Sequence, residues 1–225
     1  MQAIIESYLT WLKNKDFPCI AAKASLAKKQ VKCMVADNMA CPKDDPAILS
    51  FLYNFIDEYR NSQDTYHSAA VIFKDAFITS EEMFDELLWR RLQSLSNMDA
   101  ANFNYDKRVN ACPSSPDFSF SLKEEALYII GLHPSSNRPA RQFSYPTLVF
   151  NPHAQFEALR ESLKYESMKK AVRKRDLAFS GSVNPMLEDF GKHAETFQYS
   201  GRKYDDNWQC PLTINHESNQ HHSST

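Results

Sequence analysis

The stretch Ala126–Leu132 (ALYIIGL) constrains this chain more than any other segment. It is apolar throughout apart from Gly131, yet far shorter than the roughly 20 residues that a membrane span needs. A short apolar run without polar alternation belongs to a strand covered on both faces. Just before it, Phe118, Phe120 and Leu122 alternate with polar residues, and Lys123-Glu124-Glu125 separates the two segments. The pattern predicts a hairpin with one fully buried member. Thr147–Phe150 predicts a third strand nearby, while Gln30–Asp37 and Ala69–Phe73 predict two more.

Helices fill the intervals. Ile4, Ile5, Tyr8, Leu9 and Leu12 recur at helical spacing. Asp45-Pro46 starts a second helix, with Asp as cap and Pro in the first turn. Ser80-Glu81-Glu82 starts a third. Asn151-Pro152 opens a helix through Phe156 and Leu163, and another covers Ser167–Leu177. There is no repeat and no glycine-rich linker, with four glycines in 225 residues. The expected fold is α+β: a single domain over 1–214, mixed helices around a small, mostly antiparallel sheet. Residues 215–225, polar and rich in Ser, His and Asn, are expected to form a disordered tail.

A net charge of −2 calls for neither nucleic acid nor an anionic membrane as partner. Five cysteines without a CxxC pair give neither a zinc pattern nor a disulfide framework. Glu6 interrupts the first segment, so a signal peptide is not expected, and the predicted location is the cytoplasm. A nucleophile elbow, P-loop, dinucleotide fingerprint and zincin motif are all missing.

Three segments carry candidate chemistry. In the first, the buried strand ends in His133, with Arg138 and Arg141 following; arginine forks match carboxylates. In the second, His153 lies in a first helical turn, where the imidazolium is disfavoured and the neutral ring that metal ligation needs is favoured. In the third, SGSVNP (180–185) forms a turn suited to an anion, and QYSGR (198–202) adds Arg202. Each also has a purely structural explanation.

The segments FPCIAAKASLAKKQ (17–30), LLWRRLQSLSNMDA (87–100), PDFSFSL (116–122), GLHPSSNRPARQF (131–143), PTLVFNPHAQFEALR (146–160), FSGSVNPMLEDFG (179–191) and QYSGR resemble the YqcI/YcgG family, in the family's order. The resemblance implies a haem-dependent monooxygenase that N-hydroxylates a guanidino or amino group of an arginine-like small molecule. Such an enzyme uses haem b, molecular oxygen or peroxide, and a reductant; a homodimer is compatible with it. The 15 Phe, 10 Tyr and 3 Trp then suit porphyrin faces. His133, Arg138, Arg141, Arg202 and Cys19 become cofactor-binding candidates, and His153, Asn184 and Tyr199 catalytic ones. The expected order of iron ligands is His133, His153, Cys19, with the two histidines neighbours at one edge of the sheet. Departures from the family pattern are Asn137 for serine, Gln142 for arginine and Ala194 for serine. The alternatives are a non-catalytic haem-binding or gas- and redox-sensing protein, and an interaction protein without cofactor.

Overall fold

The computed structural model describes residues 1–64, 66–161, 165–181, 194–205 and 207–216. Five strands form one sheet: β1 (Val31–Ala36), β2 (Ser68–Phe73), β3 (Phe120–Leu122), β4 (Glu125–Leu132) and β5 (Thr147–Pro152). Their spatial order is β1-β2-β5-β4-β3. Of these strands, β1 and β2 run parallel. The β2–β5, β5–β4 and β4–β3 pairs are antiparallel. The parallel pair requires a crossover, and helix α3 (Asp45–Arg60) lies in that connection. The α+β fold expected from the sequence is the fold observed.

Side chains alternate across β2, so Val71 and Phe73 enter one core while Ala70 and Ile72 enter another. The first core is covered by α3 and α4 (Glu81–Ala100), through Ile48, Leu52, Ile56, Phe84, Leu88 and Leu92. The second packs against α1 (Gln2–Lys13), through Tyr8 and Leu12, and against Phe17 and Phe143. Helix α2 (Ile20–Ala27), which the sequence reading missed, adds Ala22 and Leu26 there. Its hydrophobic face is short, so no clear helical period was available to read.

Two local expectations change. Ser80 caps α4 as expected, accepting from the Met83 amide at 3.1 Å. Asp45 makes no cap: its carboxylate is buried against the Arg91 guanidinium and so ties α3 to α4. At the other end, Asn215 Nδ2 donates to Asn97 Oδ1 at 2.9 Å, and His216 Nε2 sits 2.9 Å from Asp99 Oδ2. The chain is therefore packed on α4 as far as His216, two residues into the segment expected to be a disordered tail. Residues 217–225 of that tail lie outside the described residues.

The break in the apolar run has a packing reason. A Cβ on Gly131 would lie 2.6 Å from Phe84 Cε1 and 2.9 Å from Leu88 Cδ1. Glycine lets α4 settle directly on β4. Gly131→Ala should cost about 1–3 kcal/mol through overpacking, read as a lower urea midpoint; an unchanged midpoint would show that α4 yields freely.

Candidate functional site

The β4–β5 ladder places the two candidate histidines. Leu132 pairs with Thr147, and Leu127 with Pro152. His133 follows Leu132 and His153 follows Pro152, so they stand at opposite ends of the sheet, about 20 Å apart at strand rise. The expected neighbours are separated, because strands that run antiparallel bring the end of one to the start of the other.

At the His133 end, the two arginines are already engaged. His133 is 1% exposed and stacks on Phe84, ring centroids 4.2 Å apart. Its Nδ1 has no hydrogen-bond partner. Burial, and then Arg141, push its pKa down to about 4. Arg138 donates to Asp176 at 2.7 Å, binding the protein's own carboxylate. The Arg141 guanidinium donates to the carbonyls of Gly131 (3.0 Å), Tyr199 (3.1 Å) and Gln198 (2.9 Å). Two of the residues that depart from the family pattern are used locally. Asn137 donates from its amide nitrogens to both Glu81 oxygens, and Gln142 donates to the Ser136 carbonyl.

Arg202 lies 3.5 Å from Glu82 and 3.6 Å from Asp85. Cys19 caps α2, its sulfur accepting from the Ala22 amide at 3.4 Å. Burial raises its thiol pKa, against the opposing pull of the Ala22 and Ala21 amides and Arg141. A thiol, and not a thiolate, is the resting form. Asn184 lies outside the described residues.

At the other end, His153 starts helix α5 (His153–Glu161) and lines a cleft of about 640 Å³. Small apolar residues, Val109, Ala126 and Ala154, form part of its wall, with Arg108, Asp117 and Glu157 as charged groups. The volume lies inside the roughly 300–1,000 Å³ range of small-molecule sites. Arg108 is held at the cleft by Asp106 (2.6 Å) and Glu125 (2.8 Å). Burial would raise the Asp106 carboxyl; the hydrogen bonds from Arg108 and from the Ala126 amide outweigh it and hold the pKa low.

His153 is 5% exposed and lies between two carboxylates. Its Nε2 is 3.2 Å from Glu157 Oε1, and its Nδ1 is 3.1 Å from Glu195 Oε1. The second approach is within ion-pair distance but outside hydrogen-bond geometry. Such contacts commonly tighten when a ligand arrives. Glu195 is 3% exposed and precedes a single helical turn, α7 (Thr196–Tyr199). The Tyr199 hydroxyl donates to Glu195 at 3.3 Å and accepts from the Phe120 amide at 3.1 Å. Tyr199 is fully buried and holds Glu195 without lining the cleft. Glu157 was legible in the sequence as the i+4 neighbour of His153. Glu195 had no such signal, being remote in sequence.

An α+β domain with a charged cleft at the end of its sheet, built around a buried His–Glu pair, is the class that fold and site define. The chain belongs to the YqcI/YcgG family, whose model matches residues 8–213. It is 28% identical to YqcI of Bacillus subtilis (strain 168) over 211 residues, 89% of this chain and 82% of that protein. To YcgG of the same organism it is 26% identical over 184 residues, 78% of this chain and 71% of the other. Both relatives are described as uncharacterized. No solved structure matches.

The buried His133 makes stability sensitive to acid. Its ring takes up a proton near pH 4 when folded and near 6.5 when unfolded. Its contribution is intact above pH 6.5 and lost as pH falls through about 4, because the unfolded state binds the proton first. Between pH 7 and 4.5 the wild type should lose roughly 2 kcal/mol more than His133→Phe, which keeps the ring stack. Urea unfolding at both pH values measures this; equal losses would refute it.

Proposed function

We propose that this chain is a haem-dependent oxygenase that N-hydroxylates a guanidino or amino group of an arginine-like small molecule, with haem b held by His153. The observation that carries this reading is the buried His153–Glu195 pair at the wall of the cleft. A metal-bound histidine characteristically turns its other ring nitrogen to a carboxylate or carbonyl, which fixes its orientation and strengthens it as a ligand. Among the described residues no three His, Cys, Asp or Glu side chains form a cage for a bare ion. One imidazole is nevertheless the donor set that a haem iron takes from a protein. The fit extends to the small residues Ala126 and Ala154, which leave room for a flat group, and to Arg108, a guanidinium for a carboxylate.

When bound, haem b would supply oxygen activation, one oxygen atom entering the substrate's N–H bond as N–OH and the other leaving as water with two electrons and two protons from a reductant. The chain's own residues bind and orient. Glu157, with its side chain 43% exposed, turns outward to uncover Nε2. Asp117 and Glu157 then offer acceptors to a cationic guanidinium, and Arg108 a donor to a carboxylate. Val109, Ala126 and Ala154 exclude water beside the reacting nitrogen.

This reading moves His153 ahead of His133 as the iron ligand. The purified protein should give a Soret band with haem. His153→Ala should abolish or radically change it, and His133→Ala should leave it in place. With haem, oxygen and a reductant, arginine-type guanidines should be converted to N-hydroxy products. Failure of the wild type to bind haem would overturn the proposal, and a thiolate-type carbon-monoxide difference spectrum would move the ligand to Cys19.

A further inference from the structure

We propose that Arg141 is a positioning residue for His153, acting across the domain through α7 and Glu195. This rests on the reading that His153 is the functional imidazole. Arg141 sits in the 3-10 turn Pro139–Arg141, at the opposite end of the sheet from the cleft. Its guanidinium is buried and, among the described residues, makes no ion pair with a carboxylate, which is costly unless the donors are satisfied. They are satisfied by three backbone carbonyls, and two of those, Gln198 and Tyr199, end α7.

A turn of four residues cannot hold itself, since helix nucleation is unfavourable and four residues close almost no internal bonds. Its position is set from outside, at both ends. Arg141 fixes the C-terminal carbonyls and, through Gly131, joins them to β4. Glu195, at the other end of the same turn, meets His153 Nδ1 at 3.1 Å. The Tyr199 hydroxyl reaches back to Glu195 and makes the turn one rigid piece. Gly201 completes the arrangement. Its φ of +84° favours glycine, and a Cβ there would lie 3.4 Å from Arg141 Nη1. The clamp therefore joins three separate sequence segments, 131–143, 195–201 and 151–157, into one device.

The role assigned to the clamp is to hold Glu195 beside Nδ1, so that once Glu157 turns away from Nε2 the ring proton sits on Nδ1 and Nε2 is presented to the cleft. The test uses the full chain without haem, so that it stands even if the oxygenase reading fails. With Glu157→Ala as the starting chain, which frees Nε2 of its carboxylate, ring 15N shifts of His153, read by NMR at one fixed pH, should show Nδ1 as the protonated nitrogen. Glu195→Gln should erase that distinction. Arg141→Lys keeps the charge but replaces the planar fork, whose two terminal nitrogens reach three carbonyls, with a single nitrogen. It should change the His153 shifts in the same sense while retaining the folded circular-dichroism spectrum. The double variant should be no further displaced than Glu195→Gln alone, as expected for residues acting in one chain. Where the wild type binds haem, both single variants should raise its Kd by about tenfold, the scale on which outer-sphere partners of a metal-bound histidine act.

His153 shifts left unchanged when Arg141→Lys is added to that starting chain and the protein stays folded, or additive effects of Arg141→Lys and Glu195→Gln, would overturn the proposal. If Arg141→Lys does not fold, Gly201→Ala, which crowds the same guanidinium, is read by the same shifts and decides in the same way.

Discussion

The antiparallel pairing of β4 with β5 is the interaction on which the rest of the molecule depends. Both strands are interior to the sheet, between β2 and β3, and their residues are largely buried. Register along this pair is strongly specified, because a slip by one residue would turn every side chain to the wrong core. Gly131 adds a second lock: only one position along β4 lacks the Cβ that Phe84 and Leu88 would strike. Once the register is set, the loop after β4 and the helix after β5 must leave from opposite ends. The histidines at those exits cannot share a ligand.

What joins the two ends is a set of buried polar groups, each matched to a partner. Arg141 meets carbonyls, Glu195 meets a histidine and a tyrosine, and Asp45 meets Arg91. Asp99, wholly buried, accepts from the Tyr53 hydroxyl and the Lys123 amide and contacts His216. Removing one partner of such a group leaves an uncompensated buried charge, which costs more than a lost surface contact. The last described segment, after Ala194, contributes to most of these pairs. Trp208 stacks on Tyr204 at 3.8 Å, and Gln93 bonds both the amide and the carbonyl of Thr213. The C-terminal chain is thus part of the body that supports the cleft.

The strands were legible because burial on one face or two leaves a pattern of period two or a solid apolar run. Each of the five predicted strands overlaps an observed one. His153 was legible as a candidate because Asn-Pro before it marks a helix start. Glu195, Arg108 and α7 were not. Their importance comes from contacts remote in sequence, and one helical turn has too few residues to show a period. Arg138 and Arg141 illustrate a different limit. From spacing alone, a guanidinium that awaits a ligand carboxylate looks the same as one already bound to Asp176 or to three carbonyls. The residues of a motif share a need for one another, and whether that need is a ligand or the chain's own backbone is settled only by where the chain returns.

The same distinction separates the two imidazoles as chemical groups. For His133 to accept a large ligand, the Phe84 ring stacked on it would have to move, and Phe84 is fully buried in the core beneath β4. Displacing a core aromatic costs several kcal/mol, about what its truncation costs. For His153 the group in the way is Glu157, a half-exposed carboxylate in the next turn of the same helix. Its side chain is 43% exposed and the carboxylate can turn to water, so parting this contact costs less than displacing a core ring. The nitrogen behind, Nδ1, faces a carboxylate that is buried and braced by a tyrosine. One side of the ring is therefore held and the other can exchange its partner. A ligand-binding histidine requires that asymmetry, and between the two candidates only His153 has it.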